Sequence, residues 1–488
     1  RSKAMRPYGV VLVSAVGFFL SGCMVGPRYV KPTVPVTPNF EETTEWKEGD
    51  GWKVAQPGDD LVRGKWWELY GDAILSEIEE QVDSSNQDLK IAEANLRQAR
   101  AAVRFNRASQ APTIGSSPSI SDIRVSANQP YFPSSSVNNG SGDFILPLDL
   151  SYEVDLWGRV RRSVAAAKQQ AQASAADLQT ARLSLHAEVA IDYFEVRSAD
   201  AQERLLNDTV KAYGEALRLT QNRFEGGAAP KSDVAQAKTQ LEDAKVLASD
   251  ITVQRAQYEH ALAILIGKPP AAFHLAVSPL NLVAPVLPSV PVTLPARLLE
   301  RRPDIAAAER RMASANEQIG IAKAAYYPTL NLAASAGLQG SSILNWLTWP
   351  SRFWAVGPQL SETLFDAGRR RATNESASAG YDAAVAGYRQ IVLDAFQQVE
   401  DNLVVLRVLS TESMQQQQAT SAAEESLKLF QNRYAGGVDT YLQVVTSQTT
   451  ALANERNDID ILRRRLDANV LLIKAMGGGW DVSSLPHL

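Results

Sequence analysis

Cysteine is nearly absent from this chain. Its 488 residues hold one, Cys23, so no intramolecular disulfide can form. Histidine is scarce too: His186, His260, His274 and His487 lie far apart and offer no His/Cys spacing for a metal centre. Basic charge is not in excess, with 49 Lys and Arg against 54 Asp and Glu, which argues against a nucleic-acid binder built on a basic field. After the N-terminus no uncharged apolar run approaches about 20 residues, so any membrane-spanning part has to be a β-barrel. The sequence has no G-x-S-x-G and no phosphate loop. Gly477-Gly478-Gly479 lacks the strand–turn–helix context of one. Nothing points to catalysis, to a cofactor or to a metal. Hydrophobic residues still make up 45% of the chain, which is ordinary for a folded protein.

The first 23 residues carry the sharpest local signal. Arg1, Lys3 and Arg6 precede the apolar run Val10 to Leu20, and Leu20-Ser21-Gly22-Cys23 follows. That run has the length of a signal-peptide core and is too short to span a bilayer. The small residues before a lone cysteine resemble a lipoprotein cleavage box. Residues 1–22 are therefore expected to be a signal, and Cys23 to carry a covalent lipid. A secretory signal with a chance cysteine is the plainer alternative.

The chain is a tandem duplication. Leu219-Thr220-Gln221-Asn222-Arg223-Phe224-Glu225-Gly226-Gly227 matches Leu429-Phe430-Gln431-Asn432-Arg433-Tyr434-Ala435-Gly436-Gly437 at an offset of 210. The same offset pairs Gly158-Arg159 with Gly368-Arg369 and Gly267 with Gly477. An earlier block, from Asp88 to Pro112-Thr113, repeats at an offset of 216. Each unit reads as one helix (about 84–110 and 302–326), two strand-like stretches, and two long helices joined by a Gly-Gly turn. No proline interrupts residues 231–268 or 359–485. A helix of about 65 residues is roughly 100 Å long and must pack lengthwise on others. Val392, Phe396, Val399, Leu403 and Leu406 step by the 4 and 3 of a coiled-coil seam. His186 falls on the matching seam of the first unit, where it reads as a packed histidine.

Strand signals flank these helices. Phe144, Leu146, Leu148, Leu150, Tyr152, Val154 and Leu156 alternate with Asp149, Ser151, Glu153 and Asp155. Residues 329–339 and 354–361 alternate likewise, and 113–126 does so weakly. Four strands cannot close a barrel, for which about eight is the lower limit. Open edges are not tolerated in lipid, so several chains must pool strands; three would give twelve. The connection from Gly267 to Arg297 holds seven prolines and reads as an extended linker.

On these motifs the chain resembles the TolC-like outer-membrane efflux proteins, in their lipoprotein branch. The quoted matches are Gly22-Cys23 with Pro27, Tyr29 and Pro32; Trp66-Trp67-Glu68; Asp155-Leu156-Trp157-Gly158-Arg159; Arg301-Arg302-Pro303-Asp304-Ile305; Phe365-Asp366-Ala367-Gly368-Arg369; and Ala475-Met476-Gly477-Gly478-Gly479-Trp480. The resemblance implies an α+β membrane protein with a long α-helical barrel and four β-strands per protomer in a 12-stranded trimeric β-barrel. The expected layout is an acylated equatorial segment 23–83, repeat 84–267, equatorial connection 268–300, repeat 301–477 and tail 478–488. The expected function is the exit duct of a tripartite efflux system in the outer membrane of a Gram-negative bacterium. It would work as a homotrimer with a periplasmic adaptor, an inner-membrane pump of the resistance-nodulation-division type, and outer-membrane lipid.

The resemblance also implies roles for single residues. Arg223, Gly226, Gly227, Arg433, Gly436, Gly437 and Val438 would meet the adaptor, although turn and cap duty alone would also explain them. Leu442 matches an apolar constriction. One turn on, where relatives carry an aspartate, stands Thr446, with Gln443 before it, so an acidic ring is not expected there. Asp233 and Asp439 are the nearest acidic candidates, with Asp233 in a polar lock between helices or simply solvated. Two rival readings stay open. The same fold could serve type I protein secretion or metal-ion export, and a soluble coiled-coil scaffold is the more remote one.

Overall fold

The computed structural model describes residues 24–44, 52–54, 64–124, 126, 140–282, 287–292 and 295–486. Cys23, the expected signal and most of the loop 126–142 lie outside them. Eight main helices are α1 Ala73–Ser85, α2 Gln87–Ala108, α3 Arg159–Glu225, α4 Lys231–Leu265, α5 Pro295–Arg301, α6 Pro303–Ala324, α7 Arg369–Ala435 and α8 Tyr441–Ala475. The strands are β1 Trp52–Val54, β2 Thr113–Gly115, β3 Ser119–Ile123, β4 Ser141–Val154, β5 Val290–Val292, β6 Thr329–Gly340 and β7 Arg352–Ser361. Helices α3 and α7 are each 67 residues long, and α4 and α8 each 35. All four boundaries obey the offset of 210, so the duplication in sequence is a duplication in structure.

The helix expected at about 84–110 is α2, Gln87–Ala108, and a further helix, α1, precedes it. Asn86 parts the two, with extended backbone at ψ 131, and its side chain accepts from Leu89 N as the cap of α2. The same amide donates to Leu265 O at 2.8 Å, at the C-terminus of α4. In the second unit Arg302 takes this place and donates to Ala475 O at 3.0 Å, at the C-terminus of α8. Each long helix therefore runs beside a composite column, α4 followed by α2 or α8 followed by α6. In both, the positive N-terminus of one helix meets the negative C-terminus of the other. Gly267 and Gly477 make these joints possible. Both have positive φ (68° and 91°). A Cβ at Gly267 would lie 2.5 Å from Ser85 O, and one at Gly477 would overlap Arg301 O.

The expected seam is buried at Val392, Val399, Leu403 and Leu406, with Leu409 extending it. A core cluster at the equator joins Trp66, Trp67, Tyr70 and α1 to α3 and α8. The N-terminal segment straps the outside. Val25 N bonds Trp157 O at 3.1 Å, Tyr29 Oη bonds Glu309 at 2.7 Å, and Arg407 holds Glu42 at 2.6 Å. β1 and β5 pair in parallel, so the proline-rich connection contributes a strand. The other strands form one antiparallel sheet in the order β2/β3, β4, β6, β7. The first expected strand is split into β2 and β3 around Ser116-Ser117-Pro118, since proline cannot donate to a ladder.

Gly477→Ala should lower the thermal unfolding midpoint of the purified protein markedly, because it adds a backbone clash to a left-handed φ. Gly227→Ala, at φ 69° with open space around it, should cost only about 1 kcal/mol.

Candidate functional site

Two regions of the chain lack the cover a finished protein would give them. The first is the sheet. Cross-strand register aligns Leu148 with Ala336 and Trp354, Leu150 with Ala334 and Val356, Tyr152 with Leu332 and Pro358, and Val154 with Leu330 and Leu360. These make one apolar face that no part of the chain covers among the described residues: Trp354 is 76% exposed and Val356 72%. The opposite face is polar, with Glu153, Asn331 and Gln359 in one row and Asp143 bonded to Gln339 at 2.8 Å in another. Among the described residues no helix is long and apolar enough to cross a membrane. At the helical end of the sheet, Trp157 stacks on Tyr327 at 4.7 Å and donates to Pro328 O at 2.8 Å. Asp155 then caps α3 by accepting from Val160 and Arg161 N.

The second region is the opposite end of the long helices. Each long helix closes in a Schellman motif. Ala228 N bonds Arg223 O and Val438 N bonds Arg433 O, while Gly227 and Gly437 take φ of 69° and 73°. Gly226 and Gly436 have ordinary negative φ, so only the second glycine of each pair is needed for the turn. Arg223 does more than end a helix. It crosses to the neighbouring hairpin, donates to Tyr434 O at 2.7 Å and Ala435 O at 3.0 Å, and lies 4.6 Å from the Tyr434 ring. Its counterpart Arg433 turns back instead and pairs with Asp439 at 2.5 Å. Tyr434 and Tyr441 meet edge to face at 5.1 Å over Ala237 and Val444, which locks the two hairpins together.

Asp233 faces this tyrosine pair from α4. Burial raises the Tyr434 phenol above its ordinary value, Thr220 opposes that, and the charge of Asp233 adds to it. Thr220 and Asp233, both from the first hairpin, stand within reach of the Tyr434 hydroxyl on the second. Leu442, Gln443 and Thr446 form an exposed strip on the first turns of α8, and the Thr446 hydroxyl bonds Leu442 O at 3.0 Å. Val438 is exposed at the turn. The structure thus gathers all the aperture and tip candidates at one end of the molecule. The tyrosine pair and Thr220 went unnoticed in the sequence. The aligned turns did hold a signal: Tyr434 and Tyr441 stand opposite Phe224 and Lys231 across the repeat.

Nearer the equator, His186 is packed as expected. It bonds Glu79 at 2.7 Å and Asp83 at 3.3 Å, and Trp67 stacks on it at 4.4 Å. Burial pushes the Glu79 carboxyl up to about 7, against the pull of His186. On α3, burial and then the charges of Glu188 and Glu195 push Asp192 up to about 7. Among the described residues Asp192 has no basic partner.

Residues 80–268 and 294–478 match the family described as Outer membrane efflux protein. TtgC of Pseudomonas putida, a probable efflux pump outer membrane protein, is 31% identical over 471 residues, covering 96% of this chain and 95% of that protein. Outer membrane protein OprJ of Pseudomonas aeruginosa is 30% identical over 477 residues, covering 98% and 97%. Among solved structures, the outer-membrane channel OprN superposes with a TM-score of 0.86 at 27% identity, over 94% of this chain and 100% of that one. The open state of the Neisseria gonorrhoeae channel MtrE gives 0.81 at 26% identity, over 94% and 99%.

Two predictions follow from the electrostatics and packing. An acid whose folded pKa is raised binds its proton more tightly when folded, so its stabilisation is lost as pH rises from the unfolded value through about 7. Asp192→Asn should therefore raise the unfolding midpoint at pH 8 and lose that advantage toward pH 4. An equal gain at both would show that charge is not the cause. In chemical denaturation Tyr434→Phe should cost about 1 kcal/mol, since Thr220 and Asp233 lose a hydroxyl partner, whereas Tyr434→Ala, which empties the buried ring site, should cost about 3 kcal/mol or more.

Proposed function

Because the chain belongs to the outer membrane efflux protein family, we propose that three copies close into one tube that carries small molecules from the periplasmic side to the outside. As a member of that family the chain is an outer-membrane efflux channel, and the family is one of channels, not enzymes. The observation that carries the proposed trimer is the four-strand-wide sheet with an uncovered apolar face and two open edges. Lipid suits that face, but the edges need partner strands. Three chains supply a closed 12-stranded barrel, and α2, α3, α4, α6, α7 and α8 continue it as a helical wall in the periplasm.

The partners in this reading are a periplasmic adaptor and an inner-membrane pump of the resistance-nodulation-division type. The adaptor would meet the turns at Arg223, Gly226, Gly227, Arg433, Gly436, Gly437 and Val438. The aperture would be lined by Leu442, Gln443 and Thr446, with Asp233 and Asp439 beside it. Cys23 would carry the lipid anchor. Met24 packs against Gly158 where the sheet gives way to α3, which suits an acyl chain entering the inner face of the membrane. Relatives in Pseudomonas putida are named for antibiotic and toluene efflux, so the cargo we propose is small organic molecules.

Planar-bilayer conductance of detergent-purified mature protein, with its mass measured in the same preparation, tests this. We expect a trimer with small, rarely opening channels, and Cys23→Ser protein that no longer takes up labelled palmitate. A monomer without conductance would sink the reading.

A further inference from the structure

We infer that Arg100, Arg104 and Arg107 on α2, with Arg97 one turn further from the sheet, bind the phosphate headgroups of anionic phospholipid in the inner leaflet of the outer membrane. The inference rests on the tube proposed above, which sets the outward side of the helical wall. Arg97, Arg100, Arg104 and Arg107 step by 3, 4 and 3, so they form one stripe along α2. All four are exposed, and their guanidinium groups have no ion pair or hydrogen bond among the described residues. No acid occurs between Glu93 and Asp122. Like charges three and four residues apart repel, and the negative C-terminus of the helix offsets only part of that. Such a stripe calls for anions from outside the chain.

The duplication shows where the stripe faces. At the offset of 216 the four positions become Ala313, Asn316, Gly320 and Lys323 on α6. The two helices present matching faces, since Leu89, Leu96 and Val103 are buried on α2 as Ile305, Met312 and Ile319 are on α6. On α6 the N-terminal strap lies over the strip: Asn316 donates to Pro27 O at 3.4 Å, and a Cβ on Gly26 would sit 2.7 Å from Gly320 Cα. The strap runs on the outside, so the arginines of α2 are outward too. A chain has one strap, and α6 takes it. A guanidinium that reaches the α6 strip, that of Arg162 from α3, pairs with Glu317 at 2.8 Å. At the place of Glu317, α2 has Ala101.

Depth follows from the same comparison. Gly320 touches Gly26, three residues after Cys23, and three residues of chain reach at most about 10 Å. The lipid anchor proposed for Cys23 therefore holds Gly320 close beneath the hydrocarbon, and Arg104 stands at the matching level of α2. Arg107 lies a turn nearer β2 and the apolar sheet face. That continuity makes lipid the occupant. An acyl chain lying on the apolar face brings its phosphate down to the arginines, and a guanidinium can meet two phosphate oxygens at once.

Native mass measurement of the detergent-purified full chain tests this, with dioleoyl phosphatidylglycerol or phosphatidylcholine titrated into the same non-ionic detergent. The trimer should keep phosphatidylglycerol in preference to phosphatidylcholine. Arg100→Gln/Arg104→Gln/Arg107→Gln should weaken phosphatidylglycerol binding about fivefold for each arginine removed, with the trimer mass unchanged. Lys238→Gln/Lys245→Gln, on the tip half of α4, should keep the preference. Equal binding of the two lipids by the unaltered chain would overturn the inference, and so would an equal loss in the lysine variant. Inorganic phosphate that displaces the lipid at equal concentration would make the stripe a free-anion site and overturn it as well. A triple variant that falls to monomers in lipid-free detergent would assign the arginines to contact between copies instead. An unaltered chain that is monomeric yet still prefers phosphatidylglycerol would remove the tube and uphold the lipid site.

Discussion

Backbone N–H and C=O groups along the outer edges of β2, β3 and β7 have no partner strand among the described residues. In water such edges are solvated. In hydrocarbon each unpaired group is costly, and no side chain on the neighbouring strands can remove that cost. The apolar face of the same sheet asks for hydrocarbon, with Trp354, Val356 and Leu360 outward. These two demands agree only in an assembly that closes the sheet on itself. The long helices share the constraint, because α3 and α7 begin a few residues below β4 and β7 and inherit the spacing of those strands.

Duplication then determines how the wall is made. Equal helix lengths, equal Schellman turns and matching joints at Asn86 and Arg302 show one architectural unit used twice. The hydrogen bond at the joint survives a change from a neutral amide to a guanidinium. What the position requires is therefore a donor of the right reach rather than a charge. The departures from symmetry gather at the tips, where Arg223 crosses and Arg433 does not, and where a tyrosine pair stands opposite a phenylalanine and a lysine.

Much of this was legible in the residues. The absence of proline over long stretches, the alternation of 144–154 and the repeat offset gave the helices, the principal strand and the duplication, each by a one-dimensional rule. The separate helix α1 before Asn86 was not legible, since the Asn and Ser that part it from α2 occur inside helices as well as at caps. The division of the first strand at Pro118 was visible only as weak alternation. At the tips, sequence identified the turns and the apolar position Leu442. It did not reveal which way Arg223 points, because that depends on the acid at Asp439 being replaced by Ala229 in the other unit. The raised carboxyl of Asp192 was hidden for the same kind of reason: burial between helices has no local signature.

The composite columns have a mechanical meaning. Down α3 and α7 the load path is continuous covalent backbone for 67 residues. Down each adjacent column it passes through a joint held by side-chain hydrogen bonds, from Asn86 and Ser85 at one and Arg302 at the other, and by van der Waals contact at Gly267 or Gly477. A sideways push on a tip is therefore resisted stiffly by one column and more softly by its neighbour. Compliance of the whole wall is set at the equator, where the joints lie, rather than at the tip where the push arrives.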